Sequence, residues 1–398
     1  MRLFPLGFLV AVATVAGAAE TPPVELVETA PVETTLDHAD IPEAAEVWRA
    51  MIGGAQRTID LAEFYVTSQA NGRLEPVLDA LFAAAARGVK VRLLVDDGFA
   101  KKESATLDRL GAAGKFQIRR FDMHARAGGI LHAKYFIVDG SDAYLGSQNF
   151  DWRSLEHIQE LGVRLRSTEI AGALADVFET DWALAGGGAA EARVHAHATD
   201  RFPLVAGSGA ARVELTPVAS PRGWLPDEKL WELPRIVALV DGAKKSVRVQ
   251  LLTYQASARG RYFDELESAL RRAAARGVTV ELMVADWCKR KGCIEGLQSL
   301  AALPHVAVKL VTIPPAKSGF IPYARVIHAK YLVVDGASAW IGTSNWERDY
   351  FYESRNVGLI VAGGAIPPRL ERFFADDWQS QYAAPVEVCG KYDPPRTH

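Results

Sequence analysis

The chain is poor in three things. Its 398 residues include three cysteines, a formal net charge of only −3, and one apolar run of note. Three cysteines cannot staple a chain of this size, so a hydrophobic core must hold it, and 49% hydrophobic residues suffice for one. Cys288 and Cys293 flank a four-residue loop that they could close, leaving Cys389 free in the tail; pairing of Cys389 with either is also open. The near-zero charge gives no general drive toward polyanions, so any attraction for phosphate must be local. The apolar run, Leu3 to about Ala16, follows a single Arg and ends in Ala16-Gly17-Ala18. It is too short to span a bilayer and reads as a signal peptide over residues 1–19. No later segment is apolar for long enough to span, so the mature protein is expected to be soluble and exported, secreted or periplasmic. Metal-ligand clusters are lacking too: His195 and His197 form an H-x-H pair with no carboxylate or cysteine cluster beside it in sequence, and they read as surface loop residues. No metal and no cofactor are expected.

What is present is a stretch that occurs twice. Residues 131–149 read LHAKYFIVDGSDAYLGSQN and residues 327–345 read IHAKYLVVDGASAWIGTSN, with His132 and His328 lying 196 residues apart. Each copy is an apolar run, an Asp-Gly turn and a second short run, the pattern of a β-hairpin. A two-residue turn centred on Gly140-Ser141 would set His132 opposite Asn149 and Lys134 opposite Ser147, all on one face. The same register in the second copy sets His328 opposite Asn345 and Lys330 opposite Thr343. Asp139 and Asp335 lie at odd spacing from their histidines, point elsewhere, and are expected to fix the turn.

An imidazole, an ammonium, a hydroxyl and an amide gathered at the open end of a hairpin suit a phosphodiester. Lys134, Lys330, Asn149, Asn345 and the hydroxyls of Ser147 and Thr343 can hold non-bridging oxygens, while His132 and His328 can attack phosphorus or protonate a leaving group. A lone histidine on an apolar strand is ordinarily a packed core residue. Core packing, however, has no use for His, Lys and Asn repeated together.

These residues resemble the phospholipase D superfamily, whose signature is two H-x-K-x4-D-x6-G-[ST]-x-N motifs in one chain. The resemblance runs from about Ile41 to about Tyr382. SQNFDWRSLEHIQELG (147–162), IPYARVIHAKY (321–331) and GTSNW (342–346) are similar to the branch holding the lysosomal phospholipase-D-like 5′ exonucleases and the poxviral nicking-joining and envelope proteins.

The internal repeat is wider than the hairpins. RTIDLAEFYV (57–66) corresponds to KSVRVQLLTY (245–254), and LEPVLDALFAAAARGVKVRLLVDD (74–97) to FDELESALRRAAARGVTVELMVAD (263–286). Strand, amphipathic helix, strand and hairpin in each half predict a mixed sheet covered by helices. The expected fold is therefore α/β: an α/β/α sandwich of two phospholipase D-like halves related by a pseudo-twofold, sharing one site. The expected layout is a flexible lead-in over residues 20–40, a first half over 41–185, a Gly/Ala-rich linker over 186–212, a second half over 213–388 and a tail over 389–398.

In-line displacement needs a nucleophile on one side of phosphorus and an acid on the other, which one half cannot supply alone. The family arrangement implies His132 as nucleophile forming a phosphohistidine, with His328 as acid and then base. It also implies a carboxylate on the strand after each hairpin to hold an imidazole, with Glu160 and Glu353 as the candidates. Two lysines can neutralise charge as a metal would. The expected partner is a phosphodiester. Single-stranded nucleic acid is favoured, with Lys289, Arg290 and Lys291 for backbone phosphates and Trp224, Phe320, Tyr323, Trp346 and Tyr350 for stacking. A phospholipid headgroup is the alternative. A non-catalytic binding or envelope protein is a third reading, against which both intact motifs speak.

Overall fold

The computed structural model describes residues 22–188, 194–197, 199–258 and 261–398. The expected signal peptide lies outside these, as does part of the expected linker. Among the described residues the first half runs Val24–Thr29 (β1), Ala44–Gly54 (α1), Thr58–Glu63 (β2), Glu75–Ala86 (α2), Lys90–Asp96 (β3), Phe116–Phe121 (β4), Lys134–Val138 (β5), Asp142–Gly146 (β6), Glu160–Arg166 (β7) and Thr168–Ala185 (α3). Its sheet has the order β1-β7-β6-β5-β2-β3-β4. The second half runs Leu204–Ala206 (β8), Val213–Ser220 (β9), Glu232–Gly242 (α4), Ser246–Leu251 (β10), Glu265–Ala275 (α5), Thr279–Ala285 (β11), Val306–Val311 (β12), Tyr331–Val334 (β13), Ser338–Gly342 (β14), Asn356–Gly363 (β15), Ile366–Gln379 (α6) and Ala383–Pro385 (β16). Its sheet order, β8-β9-β15-β14-β13-β10-β11-β12-β16, repeats the first with an added strand at each edge.

The apolar runs of the hairpins are buried on both faces, which is why they read as continuous rather than alternating. Tyr135 and Ile137 point into a core shared by both halves, together with Tyr331 and Val333 and with Phe178 of α3 and Phe373 of α6. Phe136 and Val138 point the other way, onto Trp48 of α1 and Leu78 and Leu81 of α2. Leu332 and Val334 likewise meet α4 and α5. The layers are thus helices, sheet, two terminal helices, sheet, helices.

The lead-in is a correction. Val24–Thr29 is no free segment but a strand paired antiparallel with β7, Thr29 facing Glu160. Its mate is β9, whose Ser220 faces Asn356. The signal was there in the sequence: Val-Glu-Leu stands at 24–26 and again at 213–215, masked by the flanking prolines and threonines. Part of the expected linker is also ordered, with Leu204–Ala206 pairing β9.

The halves cross-link each other. Asp181, near the end of α3, takes both Nε and Nη2 of Arg355 at 2.7 and 2.8 Å, and both residues are fully buried. Losing one partner of such a pair costs roughly 3–5 kcal/mol, because the other is left charged and dry. The twin contact is weaker in charge: Asp377 of α6 accepts from Gln159 Nε2 at 2.5 Å, and its Oδ1 has no partner among the described residues. Burial pushes the Asp377 carboxyl up to about 7, opposed by Gln159 and His38. A carboxyl raised in the folded state above its unfolded value of 3.8 stabilises most when protonated, so its contribution is lost as pH climbs from about 4 through 7. Asp377→Asn should therefore flatten the fall in melting temperature between pH 5 and pH 8 by a few degrees in thermal scans. An unchanged slope would refute the assignment.

Candidate active site

Each hairpin turns on a central Asp-Gly pair, Asp139-Gly140 and Asp335-Gly336, and all four residues have positive φ, from 53° to 70°. Ser141 N closes the first turn on Val138 O at 3.1 Å. Glycine and aspartate tolerate this left-handed backbone, which most residues avoid. Ser141 is then an extra residue before the first ladder pair, Val138 with Asp142. The register is therefore one residue off the expected one: Tyr135 pairs Leu145, and in the second copy Tyr331 pairs Ile341. His132 does not face Asn149 across a ladder, nor His328 Asn345. The ladder stops at Gly146 and Gly342, and the chain beyond each bends onto the next strand.

That bend gives Ser147 and Thr343 a task other than the expected one. Ser147 Oγ donates to Leu161 O and accepts from Leu161 N. Thr343 Oγ1 donates to Asn356 Oδ1 and accepts from Val357 N. Both are fully buried, and their single protons are spent on the protein, so they tie the hairpin to its neighbour rather than reach a phosphate. Asp139 accepts from the backbone N–H groups of Gln56, Arg57 and Thr58, and Asp335 from those of Lys244, Lys245 and Ser246, at 2.7–2.9 Å. Each carboxylate clamps the hairpin tip to the loop before β2 or β10. Those three donors outweigh the effect of burial and hold both below the usual carboxylate range.

The histidines meet through a crossed connection. His132 N donates to Arg355 O in the other half, and His328 N donates to Gln159 O. This sets Asn356 behind His132, Oδ1 to Nδ1 at 3.0 Å, and Glu160 behind His328, Oε2 to Nδ1 at 2.7 Å. The Asn356 amide nitrogen donates to the carbonyls of Tyr350 and Ser354, so its oxygen is the atom that faces His132. Nδ1 of His132 thus carries a proton, which leaves Nε2 of that neutral ring a lone pair, whereas His328 shares a proton with Glu160 and also bonds the backbone of Ser147.

Glu353 corrects the second carboxylate expectation. It binds Arg261 and Arg348 at 3.0 and 2.7 Å and touches neither imidazole. Asn356 takes the expected role, at the same 28-residue spacing from His328 as Glu160 has from His132. An amide oxygen serves as an acceptor behind an imidazole as a carboxylate does, so the residue type alone does not mark the position. Glu160 also serves the histidine of the opposite half, not that of its own.

Lys134 Nζ and Lys330 Nζ each fold back on the carbonyl of their own histidine at 2.5 Å. Burial and then the neighbouring lysine charge hold Lys134 well below the usual lysine range, with Glu63 and Glu160 pulling upward. Burial pushes Lys330 down to about 7 against the pull of Glu160. Burial, then both lysines, likewise hold His132 and His328 well below the usual histidine range, so both rings are neutral. Phe64 and Tyr350 wall His132, with ring centroids 5.2 and 4.9 Å away. Asn149 and Asn345 are buried at the hairpin ends, Asn345 Oδ1 accepting from Thr253 N at 3.3 Å.

The other sequence candidates scatter. Trp346 is fully buried in the second half's core and cannot stack a base, while Trp224 is half-buried and packs on the shared core. Phe320 and Tyr323 are exposed, Arg396 lying over the first and His398 stacked on the second. Arg290 turns toward Glu347 at 3.6 Å, while Lys289 lies near Asp286 and Thr312. His197 is bonded to a carboxylate after all, Asp176 at 2.8 Å, but no group of three metal-ligating side chains occurs among the described residues. Cys288 and Cys293 are buried thiols with sulfurs 2.9 Å apart, and Cys389 is exposed.

Known proteins resemble this chain in sequence and in fold. Residues 48–182 and 236–378 match the family model described as cardiolipin synthase, PLD-like domain. The chain is 32% identical to 5'-3' exonuclease PLD3 of Bos taurus, covering 87% of this chain and 77% of that protein. It is 29% identical to phospholipase D Z of Dictyostelium discoideum over 86% of each. Among solved structures, phosphatidylserine synthase of Haemophilus influenzae superposes with a TM-score of 0.61 at 11% identity, covering 86% of this chain and 85% of that one. At that identity the likeness speaks for the fold.

Proposed function

The chain belongs to the phospholipase D superfamily of phosphodiesterases, and we propose that it is an exported hydrolase of single-stranded nucleic acid, resembling the 5'-3' exonucleases, that works through a phosphohistidine. The observation that carries this is the crossed connection. It brings two imidazoles, each held at Nδ1 by a residue of the other half, and two buried lysines into one site built from both halves.

The phosphodiester anion offsets the lysine charges, which frees a histidine to take a proton. His328, backed by the Glu160 carboxylate, is the better host for it; His132, backed by a neutral amide, stays a nucleophile. His132 Nε2 attacks phosphorus as the bond to the leaving oxygen breaks, and His328 Nε2–H protonates that oxygen. His328 then removes a proton from water, whose oxygen attacks phosphorus and breaks the P–N bond. Lys134 and Lys330, with Asn149 and Asn345, stabilise the equatorial oxygens.

The nucleic-acid reading rests on the relatives named as exonucleases. The walling of His132 by Phe64 and Tyr350, which offers aromatic faces beside the reacting centre, supports it. No helix among the described residues is long and apolar enough to cross a membrane. The test is one preparation assayed for mononucleotide release from single-stranded DNA and for choline release from phosphatidylcholine vesicles. Nucleotide release alone is expected; choline release alone would move the substrate to the phospholipid headgroup.

A further inference from the structure

The two halves treat their lysines differently. Glu63, the last residue of β2, is the cross-strand partner of Lys134, and both are buried, 2% and 1% exposed. The ring of Phe64 lies 5.0 Å from Lys134 Nζ. In the second half the positions matching Glu63 and Phe64 are Leu251 and Leu252, so Lys330 has no such neighbour on β10 and leans on Glu160 instead. The mechanism above uses Glu160 and leaves Glu63 without a task, although its Oε2 is buried with no hydrogen-bond partner among the described residues.

The charges can be counted. Beside the histidines, the groups are Lys134 and Lys330 against Glu63 and Glu160, with Asp96 acting more weakly on Lys134 and answered by the backbone N–H groups of Leu131 and Phe99. Whichever member of the Glu63–Lys134 pair holds the proton, the pair as a unit is neutral. A phosphodiester carries one negative charge, which the proton on one histidine balances. The phosphomonoester left after hydrolysis carries between about 1.5 and 2 negative charges at neutral pH. It therefore brings an excess negative charge into a buried site that is already balanced.

We propose that Glu63 sets the charge selectivity of the site, making it accept a monoanionic diester and reject a dianionic phosphate, so that product is released rather than held. Glu63 is a positioning and specificity residue acting through Lys134. This rests on the phosphodiesterase reading and says which phosphate ester the site holds least well.

The test compares wild type with Glu63→Gln, which keeps the shape, and Glu63→Leu, which copies the second half. Thermal scans confirm folding. Inorganic phosphate and dimethyl phosphate are then titrated by calorimetry at pH 7.5. Both variants should bind phosphate about tenfold more tightly, the size expected for removing one nearby buried charge, with a gain of about threefold or less for dimethyl phosphate. Progress curves of DNA hydrolysis should bend earlier through product inhibition. Equal phosphate affinity in all three folded proteins, or no phosphate binding in any, overturns the proposal. Because binding is read without turnover, a wild type that cleaves neither DNA nor phospholipid while the variants still bind phosphate more tightly overturns the substrate reading alone.

Discussion

His132→Asn should lower turnover of any phosphodiester substrate by at least about 10⁴-fold, the scale on which enzymes lose a covalent nucleophile. Asparagine can still accept and donate beside Asn356, so the fold should survive and the loss be chemical. The informative partner is His328→Asn, assayed with a p-nitrophenyl phosphodiester. That leaving group departs without a proton, so attack by His132 goes on, but the adduct has lost the base that activates water. A burst of one p-nitrophenolate per protein followed by arrest is expected, with phosphate mapping to the peptide that carries His132. The roles differ because the backing groups differ: an amide oxygen at 3.0 Å orients a neutral ring, whereas a carboxylate at 2.7 Å stabilises an imidazolium. An adduct on His328 would reverse the two.

Glu160→Gln should cost about 10²–10³-fold in turnover of DNA and move the pH profile. Burial pushes Glu160 up to about 7, although Lys330, Ser147, Ser154 and Lys134 oppose it. His328 lies well below its ordinary value because of burial and the two lysines. The pair thus holds one proton up to about pH 7, and that is the proton the leaving group needs. Above this, kcat/KM should fall about tenfold per pH unit, giving a protein that prefers mildly acidic conditions. With glutamine the shared proton has no carboxylate to rest on. The falling limb should then shift to lower pH, while the burst with a p-nitrophenyl ester, which needs no acid, is largely kept. A profile that stays in place would mean that Glu160 holds His328 by geometry alone.

Glu160 also shows how far apart sequence and structure can stand. Its residue type and its place on the strand after the first hairpin were legible, and so was the need for an acceptor behind an imidazole. Which imidazole it serves was not, because the contact forms only when Gln159 of one half docks on residues 326–329 of the other. The same docking supplies Asn356, whose 28-residue spacing from His328 was visible while its chemistry argued for a glutamate nearby.

The hairpin register is a second case. Periodicity identifies the strands, but a single positive-φ pair, Asp139-Gly140, inserts Ser141 and moves every partner by one. Ser147 and Thr343 then bond to the adjacent strand, a role that needs β7 and β15 in place.

The sequence alone determined what local pattern can encode: two α/β halves, two His-Lys-Asn sets at equal spacing, and therefore phosphoryl chemistry at a shared centre. The tertiary structure alone decided which carboxylate stands behind which histidine, that Glu63 is the cross-strand partner of Lys134, and that the expected lead-in closes the first sheet. The physical reason is that these are contacts between residues 71 to 224 apart, fixed by how buried faces pack and not by the order of residues along the chain.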